Sequence, residues 1–257
     1  MKLLMVANRN PKNNRYKKEN LDTLLKAQIE NSLELEWEPK DLIILTNFEF
    51  EFMGVRAINI RLNEKCLTGS KMFGVQWVLK NMIPTPKILC CHDLDCWQNV
   101  KFDCPKFKDV GIARYSNKKY NGGVVFWKDS SIDIIDEIVN RIVKNKEEKE
   151  EPTLNKVLKS DKVKDRVTII ENGFNCGCSG WVERYRRSEK PIKICHFHPY
   201  NRLAWETHVL DRNQIGERSV GERLEKLLRK YYNLATELNM TEEEKKIKLE
   251  KYGGPTK

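Results

Sequence analysis

Asp93 and Asp95 close the segment LCCHDLD, where an apolar run ends in two acids one residue apart. On an extended segment, residues i and i+2 point to the same side, so both carboxylates can face one site while Leu94 turns into the protein. Two carboxylates held close repel, and each resists ionisation. A divalent cation beside them removes that penalty. Oxygen donors favour magnesium or manganese, ions that also bind phosphate oxygens. The alternative is that the pair caps a turn. A second constellation is softer: Cys91, His92, Cys96, Cys195 and His196 could gather around zinc, although the chain has no CxxC pair. Gly122 and Gly123 offer backbone that a ligand can approach closely, or a tight turn before a strand. Arg184, Arg186, Arg187, Lys190 and Lys193 fall together with aromatics in WVERYRRSEKPIK. They could grip phosphates or form an exposed loop.

The elements that must position these residues follow from periodicity. KLLMVA, DLIILTN and PTPKILCCHDLD read as buried strands. Between them, residues 17–35 place Leu21, Leu24, Leu25, Ile29 and Leu33 on one helical face, and GSKMFGVQWVLKNM is a second helix. Strand, helix, strand, helix, strand predicts a largely parallel sheet with right-handed crossovers. In such a sheet ligands bind beyond the carboxyl ends of the strands, which is where Asp93 and Asp95 fall. DVGIARY, GGVVFWK, RVTIIEN and PIKICHFHP are later strands. SSIDIIDEIVNRIVKNKEEKEE is a helix with Ser at its N-cap and a solvated charged end. Pro152 suits the first position of a following helix, placing Glu151 beside its N-cap. From about Val220 the chain is helical again, ending in a Lys- and Glu-rich tail. The expected organisation is one α/β domain over 1–215 and a helical segment over 216–257.

The chain has 257 residues, enough for a substantial core, with 40% apolar and 33% charged residues. No apolar run reaches membrane-spanning length, and MKLLMVANRN is too short in apolar residues for a signal segment, so the expected setting is cytoplasmic. The eight cysteines then default to reduced, buried thiols. The net charge of +10 suits a polyanionic partner, an anionic small substrate or a solvated surface.

Five stretches in order carry a resemblance: HDLD, YNGGVVFW, EEPTLNKVL, GFNCGCSGW and HFHPYNR. Together they resemble the nucleotide-sugar glycosyltransferases of the GT-A fold, in particular the family-8-like, glycogenin-related group. That resemblance implies a Rossmann-like, mostly parallel central sheet flanked by helices. It implies that Asp95 binds the metal directly, that Asp93 binds the metal or the donor ribose, and that His196 completes the set, with His198 an alternative two residues on. The ion would be Mn²⁺ or Mg²⁺, and the co-substrate a nucleotide-diphosphate sugar, a UDP-sugar first. Ala7, Asn8, Arg9, Lys71, Asn121, Gly122, Gly123 and Arg202 would line the donor. Glu151, with Glu150 as the alternative, would hold donor sugar hydroxyls or support oxocarbenium-like charge; read from composition alone, both acids belong to a solvated run. The chain departs from the family pattern at His198-Pro199, at Arg202-Leu203-Ala204 and at Pro152. It also resembles compact bacteriophage glycosyltransferases through HDLDCWQN, EEPTLNKVLKS and RLAWETHVLDRN. This implies a hydroxymethylated base in phage DNA as one acceptor. A glycan, a lipid-linked sugar or a protein acceptor, and a non-enzymatic nucleotide or nucleic-acid binding module, are the other readings.

Overall fold

The computed structural model describes residues 1–9, 18–62, 69–116, 119–144, 149–177, 181–197 and 220–232. Its strands are β1 (Lys2–Ala7), β2 (Leu42–Thr46), β3 (Glu51–Phe52), β4 (Val55–Arg56), β5 (Ile58–Asn59), β6 (Ile88–His92), β7 (Cys96–Gln98), β8 (Val110–Ser116), β9 (Lys119–Lys128), β10 (Val167–Ile169), β11 (Cys176–Gly177) and β12 (Ile194–His196). Its helices are α1 (Lys18–Glu34), α2 (Ser70–Asn81), α3 (Ile132–Lys144), α4 (Glu150–Leu158), α5 (Trp181–Arg187) and α6 (Glu222–Tyr231).

Seven strands form the central sheet in the order β10-β8-β9-β6-β1-β2-β5. The pairings β6-β1, β1-β2, β2-β5 and β8-β10 are parallel, while β9 runs against both β6 and β8. The sheet is thus mostly parallel, as its alternating strands and helices predict. The reversal follows from the length of the chain between Ser116 and Lys119, two residues, too short for a crossover. β1 alternates its side chains between two cores: Leu4 packs with α2, α3 and α4, while Leu3, Met5 and Ala7 pack with α1. Burial on both faces is why its sequence is a continuous apolar run. Helix α2 lies close on β1, since a Cβ at Gly74 would stand 2.4 Å from Val6 Cγ2.

A second sheet, β11-β12-β7, lies on the far side of α1. Leu24 and Ala27 of α1 meet Trp97, Cys195 and Phe197 there, and α6 closes the layer with Leu224, Leu227 and Leu228. Helix α1 is therefore apolar on two sides: Leu21, Leu25 and Ile29 face the large sheet and Leu24 and Ala27 the small one.

Three local expectations change. The helix expected over 130–151 is not continuous in the described residues: α3 ends at Lys144 and α4 starts afresh at Glu150. Ser131 does not cap α3; it lies in a short 3₁₀ turn and its hydroxyl donates back to Lys128 O at 2.6 Å. Pro152 is the third helical residue of α4 rather than the first, because Lys149 is the N-cap. Among the described residues, no helix is long and apolar enough to cross a membrane.

Candidate active site

Strand β6 ends at His92, at the carboxyl end of the parallel strands, and the chain turns at once. The Asp93 N–H donates to Gly123 O at 2.8 Å, and the Cys96 N–H donates to Asp93 O at 3.0 Å. Leu94 and Asp95 are the central residues of this turn, so the two acids are not on an extended segment as their spacing suggests. They converge because the chain folds back into β7. Asp95 O accepts from Phe197 N at 2.9 Å, and Cys96 pairs with His196 across the β7-β12 ladder. One donor atom from each of Asp93, Asp95, Cys96 and His196 lies within 4.8 Å of the others.

His196 Nε2 faces Asp95 Oδ1 at 3.5 Å, and Nδ1 lies 3.0 Å from Asn175 Oδ1. Asn175 spends its amide Nδ2 on Asn121 O at 3.4 Å, which leaves Oδ1 as the acceptor for an Nδ1–H. The neutral ring then presents the Nε2 lone pair to the acids. Burial pushes the imidazolium down, but the facing Asp95 carboxylate, its hydrogen bond and Asp93 outweigh that and raise the ring above its ordinary value. A proton and a cation therefore compete for Nε2. Gly123 makes room for the ring: a Cβ there would stand 2.4 Å from His196 Cε1.

Behind the acids, the first turn of α2 brings in a buried cation. Lys71 Nζ lies 2.7 Å from Asp93 Oδ1 and 3.1 Å from Glu150 Oε1, and it donates to Gly122 O. Burial pushes the ammonium down, but the two carboxylates overcome it and hold Lys71 well above its ordinary value. Glu150 is pushed up to about 7, chiefly by burial, with Lys71 opposing and Asp93 and Glu151 adding. Glu151 sits further out. Its carboxylate pairs with Lys119 at 2.8 Å and accepts from Gly122 N at 3.5 Å. Asn155, one turn on, clamps α4 to β9: Oδ1 accepts from Tyr120 N at 2.8 Å and Nδ2 donates to Tyr120 O at 3.1 Å. Asn121 is buried and folds its Oδ1 onto Gly123 N at 3.0 Å.

The end of β1 lies beside the same first turn of α2. Ala7 is buried, and Asn8 Nδ2 donates to Ser70 Oγ at 2.7 Å, next to Lys71. Arg9 is exposed, with its backbone fixed by Asn47: the Arg9 N–H donates to Asn47 Oδ1 at 2.7 Å and Asn47 Nδ2 donates to Arg9 O at 3.1 Å.

No protein-family model and no curated protein sequence matches the chain. Solved structures do. The galactosyltransferase LgtC, in complex with donor and acceptor sugar analogues, superposes with a TM-score of 0.57 at 12% identity, covering 90% of this chain and 96% of that one. A glycosyltransferase involved in glycosylation of the major capsid of PBCV-1 gives 0.52 at 12% identity, covering 77% and 93%. The glycosyltransferase GlyE of Streptococcus pneumoniae TIGR4 gives 0.53 at 13% identity, covering 90% of this chain and 63% of that one. The fold is the GT-A fold.

Within that GT-A fold the donor set suits a hard divalent ion. Two carboxylates and one neutral imidazole are the ligands magnesium and manganese accept. Cys96 is nearest to a soft ligand, but burial and the adjacent acids push its thiol well up, and it donates to Gly123 O. The alternative cysteine–histidine zinc set does not form: Cys91, His92 and Cys195 join no such group among the described residues. His92 instead turns Nδ1 to Asp93 O at 2.9 Å, and burial lowers its pKa. Arg202 and His198, expected at the donor and as the alternative ligand, lie outside the described residues. So do residues 145–148 of the acidic run that precedes Glu150. Sequence reasoning did not single out Gln28, which touches the D-x-D turn, or the clamp made by Asn155. The available signal was a polar residue at a buried helical position: Gln28 lies between Leu25 and Ile29 and is itself fully buried.

Proposed function

We propose that this chain is a metal-dependent glycosyltransferase that moves a sugar, a hexose in the first instance, from a nucleotide-diphosphate sugar to a hydroxyl acceptor. The observation that carries the reading is the convergence of Asp93, Asp95 and His196 at the carboxyl end of a GT-A sheet, with their donor atoms within 4.8 Å. In this reading these three residues hold Mn²⁺ or Mg²⁺. The ion supplies charge stabilisation that grows as the diphosphate leaves, which is the differential that catalysis needs.

The chain's own groups do the rest. Lys71 holds Asp93 and Glu150 in place and adds positive charge beneath the diphosphate site. Asn8 and Arg9 border the nucleoside end, while Gly122 and Gly123, expected to open backbone to the sugar, are buried with their backbone groups spent on Lys71, Glu151, Asp93 and Asn121. Glu150 and Glu151 face the sugar from the first turn of α4. With a pKa of about 7, Glu150 can bear or give up a proton at neutral pH. Both acids stand where they can hold hydroxyls or support the oxocarbenium-like charge. UDP-sugars are the first donors to try, on the strength of the motif resemblance and of the likeness to LgtC, a galactosyltransferase solved with donor and acceptor sugar analogues.

The net charge of +10 favours a polyanionic acceptor, and a hydroxymethylated base in phage DNA, met in a host cytoplasm, fits it. The PBCV-1 capsid enzyme keeps a protein-borne glycan as the alternative. The decisive test is a screen of nucleotide-sugars for hydrolysis with and without manganese, wild type against Asp95→Asn. Manganese-dependent hydrolysis should fall by about 100-fold or more in the variant with the fold intact, the scale for deleting one group that stabilises developing charge. Undiminished turnover in the variant would refute the site. No hydrolysis of any donor by wild type would favour a binding module.

A further inference from the structure

We infer that Gln28 is a positioning residue for Asp95, acting from helix α1 on the backbone of the D-x-D turn. Its side chain is fully buried, and a single amide nitrogen spans the turn: Nε2 donates to Leu94 O at 2.8 Å and to Cys96 O at 3.0 Å. These are the carbonyls immediately before and after Asp95. Both amide hydrogens are used, so the side chain fixes the turn in orientation as well as in place. The Asp95 carbonyl is taken by Phe197 N and the Asp93 carbonyl by Cys96 N. The carbonyls of four successive residues, Asp93 to Cys96, are thus tied, and Gln28 alone ties two of them.

The anchor is itself anchored. Ser32 Oγ donates to Gln28 O at 2.9 Å and accepts from Gln98 Nε2 at 2.9 Å. Arg223 of α6 then donates to Gln98 O at 3.0 Å and to Asn31 Oδ1 at 2.8 Å. A polar seam therefore runs between α1 and residues 94–99, inside an otherwise apolar layer. A buried amide in such a layer costs free energy unless it is satisfied. Here the amide nitrogen is satisfied by the carbonyls flanking a proposed metal ligand, while Oε1 has no hydrogen-bond partner among the described residues. Groups that orient metal ligands without touching the ion set affinity by about 10–100-fold.

The inference rests on the proposed metal site, and its test separates the two. Mn²⁺ alone is titrated into the full chain, and free ion is followed by its electron paramagnetic resonance signal. Gln28→Met removes both donors at similar volume. Gln28→Asn keeps a buried amide, and so a fold, but is one methylene too short to span both carbonyls. Ser32→Ala loses hydrogen bonds in the same seam without touching Leu94 or Cys96. Folded Gln28 variants should bind Mn²⁺ at least about tenfold more weakly, with an altered bound-ion spectrum, while Ser32→Ala stays near wild type. Folded Gln28 variants that bind as wild type overturn the inference, as does an equal loss in Ser32→Ala. Asp95→Asn is the control for the site: if it binds Mn²⁺ as wild type, the metal reading fails whatever Gln28 does.

Discussion

Lys71 is an ammonium buried between Asp93 and Glu150, and such a group is worth more to its neighbours than to net stability. Removing it leaves Glu150 in a low-dielectric pocket with no cation. At a pH high enough to keep Glu150 ionised, Lys71→Met should therefore destabilise the fold by about 3–5 kcal/mol, the cost of stranding a buried charge. Without Lys71 the Glu150 carboxyl rises above its present value of about 7, so the loss should be largest at alkaline pH and shrink as pH falls through neutrality. The double variant Lys71→Met, Glu150→Gln removes the stranded charge and should recover most of the stability in a denaturant titration. It should not recover donor hydrolysis, because Asp93 has still lost its partner. Gly123 makes a second case. A methyl group at Gly123 must displace the His196 ring, since 2.4 Å is below any real carbon–carbon contact. Gly123→Ala should then lower manganese-dependent turnover by up to about 100-fold, the effect of a misplacement of about 1 Å, and cost about 1–3 kcal/mol of stability by overpacking.

At the scale of elements, α6 is held to α1 by two carboxylates, Glu34 facing Arg223 and Glu30 with several partners. Glu30 accepts from Lys230 at 2.6 and 2.8 Å and from the Tyr231 hydroxyl. Burial pushes Glu30 up, but Lys230 and Tyr231 outweigh it and hold the carboxyl below its ordinary 4.5. A depressed carboxylate contributes stability that is fully present above its unfolded pKa and is lost as pH falls through the folded value. Docking of α6 should therefore be constant above about pH 5 and weaken below 4.5, seen as faster hydrogen exchange over residues 222–231. In Glu30→Gln that pH dependence should be reduced, leaving the Arg223–Glu34 pair as the remaining acid-sensitive contact. The same scale shows what was legible. β1, α1, β2, α2 and β6 could be read from period and length because each packs against a long apolar partner. The turn at 93–96 could not, since one residue pair on an extended strand and in a tight turn look alike in sequence. The start of α4 was misplaced by two residues because Pro152 fits any position in a first helical turn, whose N–H groups lack intrahelical partners. The convergence of Asp93, Asp95 and His196 followed from the resemblance, whereas the support from Gln28 and Asn155 depends on tertiary contacts over 66 and 35 residues.

At the scale of the whole molecule, the candidate site forms where the end of β6 meets β12 of the second sheet, and the proposed reading leaves the acceptor to be chosen by the surface. The charge of +10 arises from 47 basic against 37 acidic residues, so many cations are already answered by anions. Several are visibly spent: Arg166 on Asp109 and Asp133, Arg223 on Glu34 and Lys230 on Glu30. What remains decides between a nucleic-acid acceptor and a neutral glycan, and the two differ in their response to salt. Each phosphate neutralised on duplex DNA releases condensed counterions, giving a log–log slope of about −0.9 per contact. A DNA acceptor engaged through four or more contacts should thus lose about 100-fold in affinity between 50 and 200 mM salt. Fluorescence anisotropy of a labelled duplex over that range reads the slope directly. A slope near zero, with donor hydrolysis intact, would leave the GT-A site standing and move the acceptor to a glycan, a lipid-linked sugar or a protein, because an uncharged acceptor has no counterions to release.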